Sequence, residues 1–205
     1  MLNLEKLEEV TVEFGKAHIA PYTESIDKEA RFPKEAYDAL RNQGYMGLLV
    51  PKEYGGSGGN CQHHAKVCFH LARFDASSAL CYMMHNTATA CLSLFGSDRQ
   101  KSQFLPQIAK GEAAFALAYS ESGSGTHFGL PDITEQEVDE YRILNGRKSF
   151  VTSAQHADYY LTYSNSCKVS GGKNNWIVPN NSDGLLHEEG VWNGLGMRGN
   201  FSKPV

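Results

Sequence analysis

The spacing of apolar residues changes period once along this chain, at Ala113, and that change constrains the fold more than any other feature. Before it, apolar side chains recur every three or four residues. After it, short runs rich in aromatic and β-branched residues are separated by clusters of Gly, Asn, Ser and Asp. A repeat near 3.6 builds one face of a helix, and a repeat of two builds one face of a strand. The chain therefore predicts a helical region followed by a small β region. Its 205 residues, 41% of them apolar, suffice for one domain or two small ones with a real core.

In the first region Leu4, Leu7, Val10, Phe14 and Ala17 form one stripe. Phe32-Pro33 opens a second helix with proline in its first turn, Tyr37 and Leu40 form its face, and Gly44 stops it. Residues 47–59 form a turn-rich connector. Helices are predicted over 62–74 and 77–95, and Ser97-Asp98-Arg99-Gln100 fits a capping box that opens a helix toward Ala109 and Gly111. Residues 113–119 read as a continuous apolar strand, with further strands predicted at 141–144, 148–152, 159–163 and 176–178. Asn145-Gly146, between two of these, predicts a hairpin, because a type I′ turn needs positive φ at both central residues. The boundary falls near Gly111. The fold class is α+β: a helical bundle over 1–111, then a small antiparallel barrel- or sandwich-like β domain over 112–205.

Net charge is −4 and no run of Lys or Arg stands out, so a nucleic-acid or acidic-membrane partner has no electrostatic support. No apolar stretch is long enough to span a bilayer. The segment Met1-Leu2-Asn3-Leu4-Glu5-Lys6-Leu7-Glu8-Glu9 is acidic and amphipathic, unlike a secretory signal. The five cysteines form no Cys-x-x-Cys pair, and the histidines, including His63-His64, lack ligand partners at metal spacing. These features predict a cytoplasmic chain with free thiols and no metal site. The loop Gly123-Ser124-Gly125-Thr126, which follows the 113–119 strand, alternates glycine with hydroxyl residues. Such a loop can aim backbone N–H groups at an anion, although alone it is more often an ordinary flexible loop.

Five segments, in order, resemble the acyl-CoA dehydrogenase family: Val50-Pro51-Lys52-Glu53-Tyr54-Gly55-Gly56; the helical stretch from His85-Asn86 through Phe95-Gly96-Ser97-Asp98-Arg99-Gln100-Lys101 to Phe104-Leu105-Pro106 and Gly111-Glu112; the strand and loop from Phe115 to Thr126; Asn145-Gly146-Arg147-Lys148-Ser149-Phe150-Val151-Thr152-Ser153 with Ala157-Asp158; and Leu195-Gly196-Met197-Arg198-Gly199-Asn200.

The resemblance implies FAD as cofactor and α,β-dehydrogenation of an acyl-CoA thioester, with hydride passing to the flavin. It places main-chain and hydroxyl contacts to the flavin at Leu117, Tyr119 and Ser120, and Phe150, Val151 and Thr152 along the ring. Thr126 approaches the cofactor's pyrophosphate, and Ser124 and Thr126 approach the CoA part of the substrate. Without the resemblance, Phe150 and Val151 read more readily as a plain strand with core contacts. Compared with the family's Thr-Glu-Pro-x-x-Gly-Ser-Asp loop, Ser120 stands for Thr, Ser122 for Pro and Thr126-His127 for Ser-Asp. The hydroxyls are kept and the aspartate is lost. The resemblance also implies an electron-transfer flavoprotein or similar acceptor and a homo-oligomer. No glutamate here maps onto the family's catalytic base, which is expected beyond Val205 with the C-terminal four-helix domain. Catalytic residues are therefore assigned to none of these positions. A flavin monooxygenase on the same scaffold and a non-catalytic remnant that binds a protein partner are the alternative readings.

Overall fold

The computed structural model describes residues 1–127, 129–190 and 192–205. Six helices come first: α1 (Leu7–His18), α2 (Thr23–Glu29), α3 (Lys34–Asn42), α4 (Cys61–Ala72), α5 (Ala76–Phe95) and α6 (Asp98–Ala109). Their starts are chemically marked. Asn60 caps α4 by accepting the N–H groups of Gln62 and His63, and Asp75 caps α5 through Ser77 and Ser78. Ser97 and Gln100 form the expected capping box on α6. Each cap satisfies N–H groups that the first helical turn leaves without partners.

The stripe on α1 is rotated slightly from the expected one. Leu7, Thr11 and Phe14 are buried and Ala17 is exposed; Thr11 can be buried because its hydroxyl donates to the Leu7 carbonyl at 2.6 Å. α2 lacks a strong apolar stripe and is held by one fully buried residue, Ile26. The connector over 47–59 folds back on itself, and the Gly56 Cα approaches the Val50 carbonyl so closely that a Cβ would sit 2.1 Å from its oxygen.

The β region holds β1 (Phe115–Ala118), β2 (Glu135–Val138), β3 (Tyr141–Leu144), β4 (Tyr159–Asn165) and β5 (Lys173–Pro179). One sheet has the order β1-β4-β5; β2 and β3 form a separate two-stranded ribbon. The expected helical-then-β organisation is observed, with the sheet mixed rather than antiparallel throughout. β4 and β5 are antiparallel, but β1 pairs with β4 in parallel, Phe115 opposite Tyr159. The 40-residue connection between them is long enough for the crossover that a parallel pair needs.

The hairpin expected at Asn145-Gly146 is not there. β3 pairs instead with β2, a strand the sequence reading did not anticipate, through the two-residue turn Asp139-Glu140, with Asp139 at φ 52°. Gly146 is used for close packing: a Cβ there would lie 2.3 Å from the Ile133 side chain. The expected strand over 148–152 pairs with residues 203–205, by Lys148 N–H to the Val205 carbonyl at 2.8 Å and Val151 N–H to the Lys203 carbonyl at 3.0 Å.

The seam between the two regions is polar and specific. Arg41 on α3 donates to the Gly111 carbonyl at 2.9 Å and to the Asp158 carboxylate at 2.8 Å, and that carboxylate also accepts the Ala114 N–H. His85 on α5 donates from Nε2 to the Met46 carbonyl at 3.1 Å and accepts the Phe115 N–H on Nδ1 at 3.0 Å. Around these contacts Val50, Leu92, Phe104, Leu105, Ile108, Phe115 and Leu161 form one apolar cluster that joins helices to sheet. Among the described residues no helix is long and apolar enough to cross a membrane.

Candidate functional site

β1 is an edge strand, paired only with β4 among the described residues, and it runs out through Tyr119 and Ser120 into the Gly/Ser loop. Glu121 and Ser124 close the loop's first turn. The Ser124 hydroxyl accepts the Glu121 N–H at 3.1 Å and donates to the Glu121 carbonyl at 3.0 Å, and His127 N–H donates to the Ser124 carbonyl at 2.7 Å. The N–H groups of Ser122, Gly123, Gly125 and Thr126 have no acceptor among the described residues. A Cβ on Gly123 would meet the Asp132 carboxylate at 2.5 Å, whereas Gly125, at φ 49°, faces open space. The result is a short arc of outward donors with little side-chain bulk in front of it.

The second part is residues 148–152. Ser149 N–H donates to the Ser120 carbonyl at 2.7 Å, so this segment lies directly beside the loop's root. Phe150 holds a left-handed backbone, φ 55°, which turns its ring outward; it is 63% exposed and meets Trp192 edge-on at 5.8 Å. A non-glycine residue at such a φ is strained, and strain of this kind concentrates at functional surfaces. Val151 is fully buried against Ala116, Ala118, Ala154 and Tyr160. Thr152 is also buried, its hydroxyl 3.1 Å from that of Ser202, while its N–H has no acceptor among the described residues.

The Ser149–Ser120 bond thus joins the root of the loop that bears Thr126 to the segment that bears Phe150 and Thr152. Leu117 and Tyr119 lie half-buried along it; the Tyr119 hydroxyl donates to Asn175 at 2.6 Å and its ring packs on Tyr163. Ser124 is committed internally, and Thr126 is exposed and unbonded. At residue 152 the hydroxyl is turned inward to Ser202 and only the backbone N–H is left without a partner among the described residues.

The sequence reading missed the pair beneath this surface. Glu121 and Lys148 form a buried ion pair, and Lys148 also donates to the Tyr163 carbonyl at 3.0 Å and lies over its ring. Burial pushes the Lys148 ammonium below its ordinary value, and Glu121 pulls it back up. The available signal was only a glutamate just after the apolar 113–119 run and a lysine just before Phe150-Val151-Thr152. Deeper in the seam, burial lowers the His85 pKa to about 4, so the ring is neutral and keeps the tautomer its two hydrogen bonds need.

A cleft of about 810 Å³ lies elsewhere, between β3 and the sheet face that carries Tyr160, Thr162, Trp176 and Val178. It excludes Phe150, Thr152 and Thr126, so its size is no guide to the donor arc. Among the described residues no three His, Cys, Asp or Glu side chains gather as metal ligands.

The comparisons with known proteins agree with one another. Residues 3–112 match the acyl-CoA dehydrogenase N-terminal domain, and residues 116–205 match the acyl-CoA dehydrogenase middle domain. The chain belongs to the acyl-CoA dehydrogenase family. It is 29% identical over 184 residues, 88% of this chain and 49% of the relative, to a 3-(aryl)acrylate reductase of Clostridium sporogenes. It is likewise 29% identical over 195 residues to the short/branched chain specific acyl-CoA dehydrogenase of Bos taurus, covering 94% of this chain and 45% of that protein. Butyryl-CoA dehydrogenase from Megasphaera elsdenii superposes with a TM-score of 0.85 at 24% identity, over 100% of this chain and 55% of that one. An acyl-CoA dehydrogenase complexed with FAD from Bacillus anthracis gives the same TM-score at 23% identity, over 98% and 34%. These structural likenesses are of fold. The chain spans about half the length of the curated relatives it matches.

Proposed function

We propose that this chain forms one wall of the FAD site of an acyl-CoA-oxidising flavoenzyme, with residues 1–111 as the supporting helical unit and 112–205 as the cofactor-facing unit. One observation carries the reading: the unpartnered N–H groups of Gly123, Gly125 and Thr126 lie on a loop whose root, Ser120, is bonded to the segment that bears the exposed ring of Phe150. A dinucleotide needs both features, donors for its phosphates and an apolar plane for its ring. FAD, when bound, supplies the hydride acceptor.

The roles divide as follows. The loop N–H groups and the Thr126 hydroxyl bind phosphate oxygens of the cofactor and of the CoA thioester. Leu117, Tyr119 and Ser120 offer main-chain and hydroxyl partners to the ring's polar edge along the open side of β1. Phe150 covers the ring, buried Val151 anchors the segment, and Thr152 donates its N–H. Ser124 supports the substrate side by holding the loop's turn. Glu121 is not a free base at this surface, being committed to Lys148 and the Asp132 N–H; Glu112 is exposed at the seam, and the Asp132 carboxylate is exposed beside Gly123.

The substrate class is an acyl-CoA thioester and the electron acceptor an electron-transfer flavoprotein or its like, in a homo-oligomer of the cytoplasm. All five cysteines are free, which suits a reducing compartment.

The test is titration of FAD into the purified chain, followed by flavin fluorescence and absorbance. With one face of the ligand still in water, binding is expected to be weaker than about 1 μM, because each edge hydrogen bond is worth only about 0.5–1.5 kcal/mol against the entropy of association. It should weaken further in Phe150→Ala. No spectral change at millimolar FAD, or a change that Phe150→Ala leaves intact, defeats the reading.

A further inference from the structure

Glu121 touches three separate parts of the candidate site. Its carbonyl and N–H hold Ser124, its Oε2 accepts the Asp132 N–H at 2.5 Å, and its Oε1 accepts the Lys148 ammonium. Both side chains of the pair are almost wholly buried, 3% and 5% exposed. Next to the pair, Ser149 N–H reaches the Ser120 carbonyl at 2.7 Å. Two adjacent rungs thus join the loop that carries Thr126 to the segment that carries Phe150 and Thr152, which are otherwise separated by the β2–β3 ribbon.

We propose that Glu121 and Lys148 are a positioning pair that locks the donor loop and the 148–152 segment into one unit, so that phosphate donors and ring-facing groups meet a single ligand in fixed register. A buried ion pair is a poor source of net stability, because desolvation of both charges cancels most of their attraction. What it does supply is geometry. Lys148 reaches the Glu121 carboxylate and the Tyr163 carbonyl of β4 at once, so a slip of the 148–152 segment breaks two bonds together. The proposal rests on the flavin reading for its ligand, though not for the link itself.

Amide hydrogen exchange and FAD titration on the full chain test it together. In Lys148→Met the Asp132 and Ser149 amides should exchange faster by about tenfold or more, and FAD affinity should fall by a similar factor where the unchanged chain binds it. Lys148→Arg, which keeps the charge, should recover most of both. The double variant Glu121→Leu with Lys148→Met removes the orphaned charge, so its thermal midpoint should return toward that of the unchanged chain while exchange and affinity stay impaired. That split between recovered stability and lost positioning is what a purely structural pair would not show.

Unaltered exchange at both amides in the two variants overturns the proposal. So does faster exchange spread equally over α5 and β4, which marks general destabilisation. Unaltered FAD affinity in Lys148→Met, with the unchanged chain binding, also overturns it. Should the unchanged chain take up no FAD, the flavin reading falls, and the exchange data by themselves decide whether the pair forms the link.

Discussion

The helical region and the β region of this chain solve the same problem with different means. The helical region is capped, packed and conformationally relaxed: Asn60, Asp75 and Ser97 close its helix starts, and Leu40, Met46, Leu48, Leu71 and Tyr82 are fully buried. Among the described residues before Gly111, only Ala30 is a non-glycine with positive φ. After it, Asp139, Phe150, Ser153, Gln155, Met197 and Phe201 all are. Each such residue costs about 1–3 kcal/mol and persists only where its surroundings hold it. The scaffold half therefore carries little strain, and the half with the candidate site carries most of it. Order in the second half comes from specific polar contacts such as Glu121–Lys148 rather than from packing alone.

Matched truncations sharpen this contrast most. Leu71→Ala, in the helical core, should lose about 3–4 kcal/mol of unfolding free energy, whereas Ile143→Ala on half-exposed β3 should lose less than about 1 kcal/mol. Urea denaturation measures both; comparable losses would break the contrast.

Acidification comes next. His85 titrates near 6.5 when unfolded and about 4 in the fold, so its contribution is fully present above pH 6.5 and is lost as pH falls toward 4. The loss should reach about 3 kcal/mol. Thermal midpoints between pH 7 and 4 report it, and a flat profile would mean His85 is not held neutral. His156, stacked on Phe32 at 3.7 Å with a pKa lowered to about 4 by burial, acts in the same direction from the β side.

Thr152→Val should cost about 1 kcal/mol, because the Ser202 hydroxyl loses its partner. Flavin binding should change little, since the backbone N–H remains. A large loss of FAD affinity with an unchanged midpoint would return the role to the hydroxyl.

The smallest effect has the opposite sign. Gln155→Gly relieves an exposed left-handed residue at φ 69° and should stabilise the chain by about 0.5 kcal/mol after glycine's own entropy cost. A decrease would show that the strain at this position is already offset locally.

Much of the helical region was legible because its signals are local. The capping box at Ser97 and the stop at Gly44 depend on residues a few positions apart. α2 escaped notice because a seven-residue helix held by Ile26 has too short a pattern to read. In the β region the strands at 159–165 and 173–179 were approximately foreseen, and the pairing was not. Asn145-Gly146 carries the strongest turn signal in the chain, yet Ile133 needs the space a Gly146 side chain would fill, and the ribbon forms with β2 instead.

The sequence by itself determined the helical-then-β order and the family, because periodicity and short motifs survive without knowledge of partners. Only the tertiary structure decided that Thr152 turns its hydroxyl inward, that Phe150 turns outward, and that Glu121 and Lys148, 27 positions apart, meet beneath them. Those outcomes depend on which strands pair and which faces are left to water, and free energies of that kind belong to contacts between distant residues rather than to any local stretch of chain.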